Sequence, residues 1–251
     1  MRTPFIAGNW KMNMNGTEAA DFANRLKSTA EGIADIEIGV CPPAPVLSTV
    51  CSVLKGSNIG VGAQNMYWED SGAFTGEISA DMILDTGCVY VIIGHSERRQ
   101  YFGETDGTVN KKVKKALEKG LTPIVCVGET LKQRKEGDAE QVVTTQVSQG
   151  LQEITEEDSK KIVIAYEPVW AIGTGETATP ETAQEMHKTI RDIYAGLFSR
   201  ESADGLRIQY GGSVKPGNVK DIMAQPDVDG ALVGGASLEV DSFNAIIRFQ
   251  E

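Results

Sequence analysis

Residues 89–128 read VYVIIGHSERRQYFGETDGTVNKKVKKALEKGLTPIVCVG, and their pattern decides the fold. The run VYVIIG (89–94) is apolar almost throughout and rich in β-branched residues, as a strand buried on both faces should be. VNKKVKKALEKG (109–120) then switches to helical spacing, with Gly120 as a stop signal. TPIVCVG (122–128) returns to the strand pattern. A strand, a helix and a second strand parallel to the first make one right-handed crossover unit.

The unit repeats outward in both directions. FIAG (5–8), IEIGVC (36–41) and IGVGAQ (59–64) precede it, and IVIAY (162–166), LRIQYG (206–211) and GALVGG (230–235) follow. Amphipathic NGTEAADFANRLKSTAEG (15–32) and EQVVTTQVSQGLQEI (140–154) lie between strands, and Thr179-Pro180-Glu181 signals another helix start. Eight strands in 251 residues give 251/8, about 31 residues per unit. That count fits a closed barrel better than an open doubly wound sheet, which usually has five or six strands. No linker or composition break divides the chain, so the expectation is one α/β domain over 1–251, a (β/α)8 barrel.

With 35 acidic and 24 basic side chains, the net charge is −11. Such a balance argues against nucleic acid or an anionic membrane as partner, since both require clustered Lys and Arg. The apolar runs fall short of the ~20 residues of a membrane span. MRTPFIAGNW at the N-terminus lacks the apolar stretch of a secretory signal. Four scattered cysteines (41, 51, 88, 126) show no metal-binding spacing. A cytoplasmic protein with reduced thiols and no metal is expected. The sequon Asn15-Gly16-Thr17 then reads as a turn and helix start.

In a barrel of this kind the active site lies at the C-terminal ends of the strands, with phosphate often held after strands 7 and 8. Those ends carry Asn9-Trp10-Lys11, Gly94-His95-Ser96-Glu97, Tyr166-Glu167-Pro168, Tyr210-Gly211-Gly212-Ser213 and Gly234-Gly235-Ala236-Ser237. Taken singly, Lys11 reads as a solvated lysine, His95 as a structural histidine and the Gly-Gly pairs as tight turns. His187, mid-helix among charged residues, reads as surface. Together on one rim, a cation, an imidazole, a carboxylate and two glycine turns form a site. Glycine lets backbone N–H groups approach an oxyanion, and a helix N-terminus adds positive charge. Glu167 as general base and His95 as hydrogen-bond donor to a carbonyl match proton abstraction in a small phosphorylated substrate. PVWAIGTGETAT (168–179) is longer than a usual βα loop and reads as a lid that keeps water from an enediolate phosphate.

The runs GNWKMN (8–13), AQNMYWEDSGAFTGEIS (64–79), IIGHSERR (92–99), CVGET (126–130), AYEPVWAIGTG (165–175), YGGSVKP (210–216) and LVGGASL (232–238) resemble the triosephosphate isomerase family, in its order and spacing along the whole chain. The resemblance implies a single-domain TIM barrel that interconverts D-glyceraldehyde 3-phosphate and dihydroxyacetone phosphate without metal or cofactor. It implies Glu167 as the proton-shuttling base and a neutral His95 that polarises the carbonyl. Lys11 and Asn9 would act beside the substrate, with Glu97 near that lysine. Gly173, Ser213, Gly234 and Gly235 would hold the phosphate, and Tyr210 with Ser213 would latch the lid. The resemblance also implies a homodimer in which segment 64–79 enters the partner and brings Thr75 near its site. From the residues alone, the aromatics of 64–79 suit either an interface or a self-packed loop. At position 176 the family often carries Lys and this chain has Glu176, with a modest effect on lid kinetics expected.

Four rival readings have specific weaknesses. GTGETA (173–178) matches a dinucleotide fingerprint but starts seven residues after its strand. Ser96 and Ser213 lie outside the G-x-S-x-G context of a hydrolase. A Schiff-base aldolase needs a buried lysine on an inner strand. A barrel that only binds sugar phosphates would be free to lose Glu167, His95 or Lys11, and all three are present.

Overall fold

The apolar runs become eight parallel strands in the computed structural model, which describes residues 2–172 and 178–251. The strands are β1 (Phe5–Asn9), β2 (Glu37–Cys41), β3 (Ile59–Ala63), β4 (Tyr90–Ile93), β5 (Thr122–Val127), β6 (Val163–Tyr166), β7 (Arg207–Tyr210) and β8 (Gly230–Val233). Each pairs with the next, and β1 also pairs with β8, so the barrel closes as expected. Gly94, Gly128, Gly211 and the pair Gly234-Gly235 fall just beyond their strands. The backbone leaves the sheet there to form the rim.

Side-chain alternation along each strand builds two cores. Phe5, Ala7, Tyr90, Ile92, Ile124, Cys126, Val163 and Ala165 are among those that form one buried cluster. Their neighbours Ile6, Val91, Ile93, Val125 and Ile164 belong to a second, larger cluster with the buried faces of the helices. Strands buried on both sides explain the unbroken apolar runs.

The helix signals resolve into hydrogen bonds. Asn15 Oδ1 accepts from the backbone N–H groups of Thr17 and Glu18 at 3.0 and 3.2 Å, and Glu18 accepts from Asn15 N–H at 2.8 Å. The sequon is thus the cap of helix Gly16–Thr29. Thr179 caps helix Pro180–Leu197, and Gly120 ends Asp106–Lys119 at φ +86°. Some crossovers hold two helical segments rather than one; Ser96–Phe102 and Asp106–Lys119 both follow β4.

His187 corrects the surface reading. It is fully buried on helix Pro180–Leu197, whose inner stripe is Ala183, Met186, His187, Ile190, Arg191 and Tyr194. Its ring stands edge-on to Tyr166 at 5.8 Å and tilted toward Tyr210 at 6.3 Å. Charged sequence neighbours hid this, because Glu185 and Lys188 point away on the other face.

Candidate active site

β1, β4 and β6 end on the same rim of the barrel, and the turns after β7 and β8 complete that rim between β6 and β1. The resulting cleft of about 520 Å³ is lined by Asn9, Lys11, His95, Glu97, Glu167 and the two glycine turns 211–213 and 234–236, among others. Ser213, Gly234 and Gly235 line it as expected, and so does Lys215, an exposed cation at the mouth that the sequence reading passed over. Gly173 and Glu176, with most of the GTGETA stretch, lie outside the described residues.

Lys11 sits at φ +52°, a strained conformation for a residue with a side chain. Two contacts hold it there. Asn9 Oδ1 accepts the Lys11 backbone N–H at 3.0 Å, and Gln64 Nε2 donates to the Lys11 carbonyl at 2.8 Å. The side chain then reaches over the floor and its ammonium meets Glu97 Oε1 at 2.7 Å.

His95 is the residue before helix Ser96–Phe102, and its Nδ1 accepts the Glu97 backbone N–H at 3.2 Å. An accepting Nδ1 places the neutral ring's proton on Nε2. Nε2 faces Glu167 Oε1 at 3.0 Å. Glu167 is 2% exposed, and its carboxylate also accepts from the Ser96 backbone N–H at 2.9 Å and its hydroxyl at 3.2 Å. Burial alone would raise the Glu167 pKa, but the His95 ring, the Ser96 N–H and Lys11 outweigh it and hold the carboxyl below its usual range. Burial opposes charge on His95, while the Glu167 carboxylate favours it and raises the ring's pKa in this arrangement.

Two glycines make room for the base. A Cβ on Gly128 would lie 1.8 Å from the Glu167 carbonyl oxygen, and one on Gly211 would lie 2.9 Å from Glu167 Cγ. The chain after Glu167 is anchored by Glu129, which is fully buried and accepts from Trp170 Nε1 at 2.8 Å, Arg134 at 3.1 Å and the Tyr166 hydroxyl at 3.1 Å.

The sequence profile of the family described as triosephosphate isomerase matches residues 4–250. The chain belongs to the triosephosphate isomerase family. Similar proteins named triosephosphate isomerase include one from Endomicrobium trichonymphae, 57% identical over 251 residues that cover 100% of both chains. Others are from Carboxydothermus hydrogenoformans, 56% identical with 99% of each chain covered, and Chloroflexus aurantiacus, 55% identical with 100% of each covered.

Within this family member, Gln64 is a structural partner that the sequence reading did not single out, while Ser96 was weighed only as a hydrolase serine and Glu129 only as a bland strand end. Glu129 carried a usable signal, since it follows a buried strand just as Glu167 does. Ser96 and Gln64 carried none, because their contacts span 71 and 53 positions of chain. Segment 64–79 packs its aromatics on one another. Tyr67 and Trp68 are half-buried and stack at 4.0 Å, while Phe74 and Thr75 at the tip are exposed.

Proposed function

We propose that the protein interconverts D-glyceraldehyde 3-phosphate and dihydroxyacetone phosphate through an enediolate, using only its own side chains. The observation that carries this is the buried Glu167 carboxylate 3.0 Å from the Nε2 of His95 on the floor of a cleft walled by glycine turns. Glu167 takes a proton from the carbon beside the carbonyl and returns it to the neighbouring carbon. His95 Nε2–H donates to the oxygen on which negative charge grows, and the Lys11 ammonium adds to that stabilisation. Asn9 and Glu97 position Lys11. Ser213, Gly234 and Gly235, with Gly173, bind the phosphate through hydroxyl and backbone N–H groups.

Catalysis requires Glu167 to leave the Ser96 N–H and turn toward substrate. That movement also takes the carboxylate from His95. Burial, Lys11 and the N-terminus of helix Ser96–Phe102 then favour the neutral imidazole, opposed only by the half-exposed Glu97 carboxylate 3.7 Å from Nδ1. A neutral donor can polarise the carbonyl without delivering its proton too early. Closure of 168–179 over the cleft would keep water from the intermediate and prevent loss of phosphate.

The same reading gives a single domain over 1–251, a cytoplasmic location and a homodimer. Among the described residues no helix is long and apolar enough to cross a membrane. Supporting the dimer, Met12 is 95% exposed and Tyr101 and Phe102 are each 68% exposed. Met12 and Phe102 line a second cleft of about 320 Å³ that reaches Lys11 and His95, and the partner's segment 64–79 would fill it and bring Thr75 beside the site.

Isomerisation in heavy water, followed by NMR, tests the function: deuterium should enter the product carbon. Glu167→Gln should lower kcat by about 10²–10⁴-fold and leave affinity for a phosphate analogue within a few-fold. Tight analogue binding by the native protein with no turnover would overturn the reading in favour of a binding protein.

A further inference from the structure

Away from the cleft, at the opposite end of β4, two of the four cysteines meet. Cys51 lies on helix Leu47–Leu54 and is half-buried, whereas Cys88, just before β4, is 2% exposed. Their sulfurs are 3.8 Å apart. The Thr86 hydroxyl lies 3.2 Å from the Cys88 sulfur and 3.9 Å from that of Cys51. From this geometry we infer that Cys51 and Cys88 form a peroxide-sensitive dithiol that closes to an intramolecular disulfide in the folded protein.

The pair is asymmetric, as such chemistry requires. Hydrogen bonding from Cys88, aided by Thr86, lowers the Cys51 pKa to about 7 against the opposing effect of burial. The Cys51–Cys88 contact and burial raise that of Cys88. Cys51 is therefore the accessible thiolate and Cys88 its protonated neighbour. By contrast, burial alone pushes Cys41 up to about 12. Cys126 is fully buried in the barrel, where desolvation and the Glu167 carboxylate raise its pKa. Neither offers an exposed nucleophile.

Hydrogen peroxide is the oxidant. The Cys51 thiolate attacks one peroxide oxygen, the O–O bond breaks, and Cys51 becomes a sulfenic acid as hydroxide leaves. The Cys88 sulfur then attacks the Cys51 sulfur, forming the S–S bond and breaking the S–O bond. The oxygen departs as water with the Cys88 proton, and the proton that Cys51 released to solvent on ionising converts the first hydroxide to water. Two thiols and one peroxide give one disulfide and two waters. From 3.8 Å the sulfurs need only approach to the ~2.05 Å of a bond. Segment 52–87 between the two residues contains β3 and 64–79, so the bond would close a covalent loop around that unit at the end of the barrel away from the cleft.

The test is mass spectrometry of the intact, folded protein after graded peroxide, with peptide mapping under non-reducing conditions. The expected result is a Cys51–Cys88 cross-link that a dithiol reductant reverses. Cys88→Ser should leave a sulfenic acid at Cys51 that a cyclic diketone traps, and Cys51→Ser should give neither product. Without peroxide, at pH 7.5, Cys51 should alkylate at least about tenfold faster than the other three thiols. First oxidation at Cys41 or Cys126 would overturn the inference. So would a cross-link seen only after unfolding, sulfinic acid at Cys51 without a cross-link, or no reaction at a peroxide excess that oxidises glutathione in parallel.

Discussion

His187→Asn should flatten the loss of stability that the protein suffers in mild acid. His187 is fully buried between two tyrosine rings, and burial depresses its pKa from 6.5 to about 3 despite the Asp227 carbonyl at 3.2 Å. The folded state therefore keeps the ring neutral while the unfolded chain protonates it below pH 6.5. The unfolded state then binds more protons, so stability falls as pH falls through the window from 6.5 to about 3. Each pH unit in that window costs about 1.4 kcal/mol, so at pH 5 this one ring removes about 2 kcal/mol. His95 acts with the opposite sign and in a different window. Its raised folded pKa contributes stability that is fully present below 6.5 and lost as pH rises through the folded value. Between pH 6.5 and 5 the His95 contribution is constant, which isolates His187. Urea unfolding at pH 6.5, 5.75 and 5 measures the slope, and asparagine preserves a donor toward the Asp227 carbonyl. Native protein should lose about 2 kcal/mol more than His187→Asn across that range. Equal slopes would refute the reasoning, because they would mean that the folded interior protonates His187 as easily as the open chain does.

Two further outcomes follow from the geometry of the cleft. Gly211→Ala places a methyl 2.9 Å from Glu167 Cγ and 3.1 Å from the Tyr166 carbonyl oxygen, so the base must shift by several tenths of an ångström. Steady-state kinetics should show kcat lower by about 10- to 100-fold with KM changed little, and a kcat within twofold of native would contradict the placement. Glu97→Gln removes the charge that meets Lys11 at 2.7 Å, and since the Glu97 side chain is 41% exposed the effect is moderate: kcat/KM should drop about tenfold. An unchanged kcat/KM would show that Asn9 and Gln64 alone position the lysine.

The barrel could be read from the sequence because burying a parallel strand on both faces leaves an unbroken apolar run. Runs such as IVIAY (162–166) need no knowledge of what lies across from them. Glu167, His95 and Lys11 were legible for a related reason: they sit where such runs end, and the ends share one rim. Their supporting contacts were not legible. Ser96 reaches Glu167 across 71 positions and Gln64 reaches Lys11 across 53, so only the closed barrel brings them together. His187 failed differently. Its helix carries charge on one face and a buried imidazole on the other, and a reading by composition averaged the two faces.

The position of Glu167 at rest bears on how an isomerase of this design avoids wasting its base. A carboxylate facing an open, wet cleft would be solvated and weak. Here it is 2% exposed and shares two contacts with Ser96 and one with His95, so protein donors replace water before substrate arrives. Those donors stabilise the anion, however, and a base held below its usual pKa is a poorer base. Turning away from the Ser96 N–H removes one stabilising partner, so basicity should rise at the moment the carboxylate faces the carbon acid. The charge of −11 makes the local arrangement matter more, because the molecule as a whole repels an anionic substrate. At rest the Lys11 ammonium and the Glu97 carboxylate nearly cancel, leaving the backbone N–H groups of the glycine turns and the exposed Lys215 at the mouth to attract a phosphate. Binding energy from that remote phosphate can then drive the movement that exposes the base, so that strong base and bound substrate appear together.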